Sequence, residues 1–225
     1  VIKKIIAAVF EPGYVSVFDG EGDVVEQLLR ERFDYIFFTG GSRFGQHVME
    51  MAAKHLTPVT LELGGKSPCI VGRGANVKIA ARRTAWGKFI NAGQTCVAPD
   101  YVFVHEDQRA EFVEAVRLAV KRFYGDRPYE SPDYPRIIHQ EGTERLVRLI
   151  HSSGQVVVGG EVNVVEKYIA PTVLIDVEAD SPIMREEIFG PILPVLTYRE
   201  IDDVIRFVNK REKPLALYYF GPEQE

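Results

Sequence analysis

Two side chains could do chemistry in this chain of 225 residues: Cys96, in Gly93-Gln94-Thr95-Cys96-Val97-Ala98-Pro99, and Glu62, in Val59-Thr60-Leu61-Glu62-Leu63-Gly64-Gly65. A thiol on a glycine-containing turn can be exposed to a ligand, and nearby dipoles tune its acidity. A carboxylate between two leucines is unfavourable to bury unpaired. An apolar setting would therefore keep it basic enough to take a proton near neutral pH. Together the two make a nucleophile and a base. Each also has a plainer reading. Free cysteines are more often small buried hydrophobes, which is the fate expected of Cys69 in Pro68-Cys69-Ile70-Val71. Glu62 is equally the water-facing member of an alternating strand. No histidine neighbours either residue, so papain-like chemistry has little local support.

Glycine turns are the second kind of signal. Gly40 to Gly45 reads G-x-x-x-x-G between an apolar strand and a helix. Such a turn can aim backbone N–H groups and a helix N-terminus at a phosphate. It is not a phosphate-binding Walker loop, because Gln46 stands where lysine is needed. Gly64-Gly65-Lys66-Ser67 resembles the tail of that loop, but Thr60 occupies the position of its first glycine. Read alone, each is an ordinary tight turn, or a place where the chain passes close to a neighbour.

The elements that must position these residues alternate between strand and helix. Apolar runs predict strands at Val15–Phe18, Tyr35–Phe38, Pro58–Leu63, Cys69–Val71, Tyr101–Val104, Gln155–Val158, Ile169–Val177, Ile192–Thr197 and Leu215–Phe220, the last expected to be buried. Helical spacing joins Val24, Val25, Leu28 and Leu29, then Phe44, Val48, Met51 and Ala52. It recurs over Val77–Ile90, from Phe112 to Phe123, over Leu146, Leu149 and Ile150, and from Ile201 to Val208. The prolines and glycine of residues 125–135 predict a loop. The expected fold class is α/β, with a mostly parallel sheet flanked by helices.

Composition narrows the function classes. Hydrophobic residues make up 46% and charged residues 26%, enough for a sizeable core and too apolar for a disordered chain. A net charge of −5 argues against a nucleic-acid partner. No apolar run approaches the roughly 18 residues of a membrane span. The lysines and apolar residues at Lys3 to Phe10 are stopped by Glu11 without a cleavage signal, so a signal peptide is not expected. With 2 cysteines and no metal-ligand spacing among 5 histidines, neither a disulfide framework nor a metal site is expected, and a cytoplasmic setting is.

Taken in order, Val59-Thr60-Leu61-Glu62-Leu63-Gly64-Gly65-Lys66, Gly93-Gln94-Thr95-Cys96 and Glu186-Glu187-Ile188-Phe189-Gly190-Pro191 resemble the aldehyde dehydrogenase superfamily. Ala53 to Cys69, Ala85 to Tyr101, Tyr168 to Val173 and Arg211 to Tyr218 are similar to its class 3 branch of fatty and aromatic aldehyde dehydrogenases. The resemblance implies NAD(P)-dependent oxidation of an aldehyde to a carboxylic acid. Cys96 then matches the nucleophile and Glu62 the base that activates water. Gly40, Gly45, Leu63, Gly64, Glu187 and Phe189 match the cofactor side, the last two holding the nicotinamide ribose and ring. The cofactor is NAD or NADP, and the full-length form is expected to be a homodimer or tetramer.

The resemblance also divides the chain into residues 1–63, the last part of a Rossmann-like NAD(P)-binding domain, and residues 64–225, a catalytic domain incomplete at its C-terminus. The family's chains are longer at both ends, so an internal piece is expected. Two other functions stay open at this level: a cofactor-independent thiol esterase using Cys96 and Glu62, and a non-catalytic fragment that retains the fold.

Overall fold

The computed structural model describes residues 1–11, 13–20 and 22–222. They form two compact units, Val1–Leu63 and Gly64–Glu225.

The first unit holds helices α1 (Ile2–Val9), α2 (Gly22–Leu28) and α3 (Ser42–Ala53), with strands β1 (Ile36–Gly40) and β2 (Val59–Leu63). β1 and β2 pair in parallel, from Ile36 opposite Val59 to Gly40 opposite Leu63. Two parallel neighbours need a crossover, and α3 supplies it. It turns Val48 and Ala52 inward. α1 is an element that the sequence reading did not assign. The strand expected at Val15–Phe18 is absent. That segment instead folds beside α1, where Val15, Val17 and Phe18 line a hollow with Ile6 and Phe10, and Lys3 bonds Asp19 at 2.5 Å. Its apolar residues meet a helix rather than a neighbouring strand.

The second unit contains β3 (Pro68–Val71), α4 (Val77–Phe89), β4 (Tyr101–His105), α5 (Arg109–Tyr124), α6 (Gln140–Ser152), β5 (Gln155–Val158), β6 (Val162–Asn163), β7 (Tyr168–Ile169), β8 (Thr172–Ile175), β9 (Ile192–Tyr198), α7 (Ile201–Asn209) and β10 (Tyr218–Phe220). The main sheet has the order β10-β3-β4-β9-β8-β5. All its pairs are parallel except β5 with β8. β3 and β4 are buried at every position, as continuous apolar runs in a covered parallel sheet should be.

Two expected strands are corrected. Ile169–Val177 is divided between β7 and β8 because Pro171 lies between them. Leu215–Phe220 is strand only over Tyr218–Phe220 and is not buried: β10 is an edge strand, with Leu217 54% and Tyr219 58% exposed.

The topology gathers the motifs. β3, β4, β9 and β10 run parallel, so the loops that enter them share one end of the sheet. Gly64-Gly65 precedes β3, Cys96 precedes β4, Glu187 to Gly190 precedes β9, and Leu215 precedes β10. Ligands of open α/β sheets more often sit outside the carboxyl ends of the strands. Here the chemistry-bearing residues collect at the opposite end.

Candidate functional site

The turn that carries Cys96 begins where α4 ends. Asn91 (φ 52°), Ala92 (φ 51°) and Gly93 (φ 72°) adopt left-handed backbone in succession. Such conformations are uncommon for residues with a Cβ, and each costs on the order of 1 kcal/mol or more. External contacts hold them. Asn91 Nδ2 donates to the Gln94 carbonyl at 2.9 Å, and Gln94 Nε2 donates back to the Asn91 carbonyl at 3.1 Å. A Cβ on Gly93 would lie 2.2 Å from the Gly190 carbonyl oxygen, so only glycine lets these two loops meet. On the other side of the thiol, the Tyr218 hydroxyl donates to the Val97 carbonyl at 2.6 Å.

Cys96 itself is half-buried, whereas Cys69 is buried and hydrogen-bonded to the Thr84 hydroxyl at 3.4 Å. Burial pushes the Cys69 thiol up to about 12, which makes it the inert one. Among the described residues, no acceptor takes the Cys96 backbone N–H. Thr95 and Val97, which flank Cys96, line a cavity of about 880 Å³ together with Trp86, Ile90, Pro99 and Phe123.

The loop before β9 is staked from two sides. The Ile188 N–H donates to Asp100 Oδ1 at 2.9 Å, and Arg145 Nη2 donates to the Ile188 carbonyl at 2.5 Å. Between these anchors Glu187 faces Gly64. A Cβ on Gly64 would sit 2.2 Å from Glu187 Oε1, so the glycine makes room for the carboxylate. Burial raises the Glu187 carboxyl above the ordinary range, and the Asp100 carboxylate adds to this. The Gly65 backbone N–H, Lys88 and Lys66 act in the other direction. Phe189 is 43% exposed and has φ 47°, so plain core packing does not describe it.

Behind Glu187 lies a charge cluster that the sequence reading did not single out. Asp100 is 2% exposed and pairs with the Lys66 ammonium, which also donates to the carbonyls of Ile183 at 2.8 Å and Glu186 at 3.0 Å. Lys88 is 0% exposed, and its Nζ lies 4.0 Å from Asp100 Oδ1 without a hydrogen-bond partner among the described residues. Burial lowers it to about 8. Lys88 falls on the inner face of α4 with Ala81, Thr84 and Ala85. A lysine at helical spacing on a small-residue face was the available signal. Asp100 had none, because its partners lie far along the chain.

The remaining sequence candidates belong to the first unit. Glu62 is exposed, and β2 alternates around it with Leu61 and Leu63 partly buried. The apolar enclosure considered for it is not present within its own unit. Gly45 is buried, and a Cβ there would lie 2.7 Å from Leu63 Cδ2, so α3 can lie close against β2. Gly40 ends β1. α3 has Gly41 as its N-cap and no side-chain cap, and the N–H groups of Ser42 and Arg43 find no acceptor among the described residues. A helix start of this kind suits an anion.

Within the first unit the open N–H groups at the start of α3 suit an anion such as a phosphate; within the second, Glu187 presents a half-buried carboxylate beside Gly64. The donor sets do not fit a resident metal. No group of three or more histidine, cysteine or acidic side chains among the described residues could hold one. No helix among them is long and apolar enough to cross a membrane.

Comparison with known proteins gives a consistent result. The model of the aldehyde dehydrogenase family matches residues 1–225. The chain is 49% identical over 221 residues to aldehyde dehydrogenase family 3 member B2 of Mus musculus, covering 98% of this chain and 46% of that protein. It is 46% identical over 225 residues to 4,4'-diaponeurosporen-aldehyde dehydrogenase of Staphylococcus aureus, covering 100% of this chain and 49% of that protein. It superposes with a TM-score of 0.96 and 46% identity on Staphylococcus aureus AldH in a substrate-bound state, over 99% of this chain and 49% of that one. The chain spans about half the length of the curated relatives it matches.

Proposed function

The chain belongs to the aldehyde dehydrogenase family, and from that premise we propose that it carries the thiol nucleophile of an enzyme that oxidises an aldehyde to a free carboxylic acid with NAD or NADP. One observation supports this most strongly: a half-buried thiol on a strained turn, flanked by residues that line an apolar cavity.

The Cys96 thiolate adds to the aldehyde carbon, and the carbonyl electron pair moves to oxygen. The free Cys96 backbone N–H is the donor for that oxyanion. A nicotinamide dinucleotide held by the residues named below would supply the two-electron acceptor needed for the Cys96 adduct to become an acyl thioester. Glu62 then takes a proton from water, the hydroxyl adds to the acyl carbon, and the carbon–sulfur bond breaks to release the acid and restore the thiolate. The choice of water as acyl acceptor rests on Glu62 in its Leu61-Glu62-Leu63-Gly64-Gly65 setting.

Gly40, Gly45 and Leu63 shape the phosphate-side turn. Gly64, Glu187 and Phe189 hold the ribose and nicotinamide ring. On this reading Val1–Leu63 is part of the dinucleotide-binding domain and the unit from Gly64 onward is catalytic. The cavity lining of Trp86, Ile90, Val97, Pro99 and Phe123 suits an aromatic or medium-chain aldehyde rather than a polar one.

Absorbance of the reduced dinucleotide tests the proposal, with benzaldehyde or octanal as substrate and NAD and NADP in separate runs. Turnover that disappears in Cys96→Ala is the expected result. Undiminished turnover in that variant would remove Cys96 from the mechanism.

A further inference from the structure

A strap of chain is hydrogen-bonded to the turn that carries Cys96. Gln94 Nε2 donates to the Arg136 carbonyl at 3.1 Å, and Gln94 Oε1 accepts from the Ile138 N–H at 3.0 Å. The side-chain amide thus bonds the two backbone groups that flank Ile137. The strap is tied down beyond that point. The Ile137 N–H donates to the Lys167 carbonyl at 2.9 Å, and the buried Tyr134 hydroxyl donates to the Ile169 carbonyl at 2.9 Å.

Arg136 clamps the strap from the inside of its own bend. Its guanidinium lies 4.8 Å from the Tyr129 ring centroid and 4.9 Å from that of Tyr168. It donates to the Tyr129 carbonyl at 2.8 Å and the Tyr134 carbonyl at 3.4 Å. A planar cation with several donors can serve two rings and two carbonyls at once, and a lysine cannot.

We propose that Arg136 is a positioning residue for the Cys96 nucleophile, acting through Gln94 to hold the thiol-bearing turn in its strained form. The proposal rests on the reading of Cys96 given above. Its logic is mechanical. Asn91, Ala92 and Gly93 adopt left-handed backbone only if their surroundings over-determine it. Gln94 is the next residue, and its amide is the link between that backbone and a fixed part of the fold. A nucleophile displaced by even a fraction of an ångström loses much of its advantage in attack.

The test compares the unsubstituted 225-residue chain with Arg136→Met, Arg136→Lys, Gln94→Ala and the Arg136→Met/Gln94→Ala double variant. Amide hydrogen exchange, read by mass spectrometry, is followed in residues 91–98 and, as a control, in α5. Arg136→Met and Gln94→Ala should each speed exchange of residues 91–98 roughly tenfold, with α5 unchanged. The double variant should be no faster than the faster single, because both break one chain of contacts. Arg136→Lys should fall between native and Arg136→Met.

In parallel, acylation of Cys96 by p-nitrophenyl acetate, in which the thiolate attacks the ester carbonyl and p-nitrophenolate leaves, should slow by a similar factor in Arg136→Met. Unchanged exchange at residues 91–98 in Arg136→Met would overturn the proposal. So would effects that multiply in the double variant, or equal loosening of α5. If the unsubstituted chain were not acylated at Cys96, the nucleophile assignment would fall, while the exchange data would still decide the clamp.

Discussion

A lysine with no exposed surface and no hydrogen-bond partner among the described residues is the most unusual single residue here. Lys88 is held among Asp100, Lys66 and Glu187, and burial brings its pKa down to about 8 from 10.5. Between those values the unfolded chain binds the proton and the folded chain does not, so this group's contribution to stability rises with pH across that window. Below about 8 the lysine is charged in both states, and its burial opposes folding in full. The rise amounts to roughly 3–4 kcal/mol. Lys88→Met should remove it. Unfolding free energies from denaturant titrations at pH 7.5, 9 and 10 should converge or cross between native and variant, and parallel curves would refute the assignment. At this scale the sequence was legible in the fate of the two thiols: Cys69, in its apolar run, is buried, and Cys96, on its glycine-containing turn, is only half-buried. It was not legible at Asp100 or Arg145. Their meaning depends on Lys66, Ile188 and Glu187, which only the folded chain brings to them.

The elements explain why those residues meet. Neighbouring parallel strands β3, β4 and β9 force the loops that enter them to one end of the sheet, and the Cys96 turn docks there on the loop of Gly190. Gly93→Ala tests that docking. The new Cβ would meet the Gly190 carbonyl oxygen at 2.2 Å on a residue with φ 72°. A loss of roughly 2–4 kcal/mol of unfolding free energy is expected by chemical denaturation, and a change below about 0.5 kcal/mol would mean the loops do not rely on this contact. Most elements could be read from periodicity, because α4, α5, α6 and α7 and strands β3, β4 and β9 bury one face or both. Val15–Phe18 could not, since an apolar run does not reveal whether its partner is a strand or α1. β10 was overestimated for the related reason that apolar residues at an edge read like those in a core.

At the scale of the whole molecule, burial is distributed very unevenly. Among the described residues, the buried apolar side chains of Val1–Leu63 are Leu29, Val48 and Ala52. The second unit carries a continuous core running from Cys69 through Phe112, Leu146 and Leu193 to Val204. Local opening follows buried apolar contact. Amides of β1, α3 and β2 should therefore exchange at least about a hundredfold faster than those of β3, β4 and β9, and equal protection would contradict the division. The boundary between the units falls at Leu63 and Gly64, inside the motif that carries Glu62. The sequence shows that motif as one run of residues, and the structure assigns its two sides to different bodies.

If Cys96 carries the acyl group and Glu62 directs water to it, as proposed, the acyl group should persist on Cys96 once Glu62 can no longer take a proton. The most direct measurement is peptide mapping by mass spectrometry after incubating the Glu62→Gln variant with benzaldehyde and NAD or NADP, followed by acid quenching. A benzoyl thioester on Cys96 should accumulate in Glu62→Gln and not in the unsubstituted chain. A benzoyl adduct on any other residue, or none on Cys96, would contradict it.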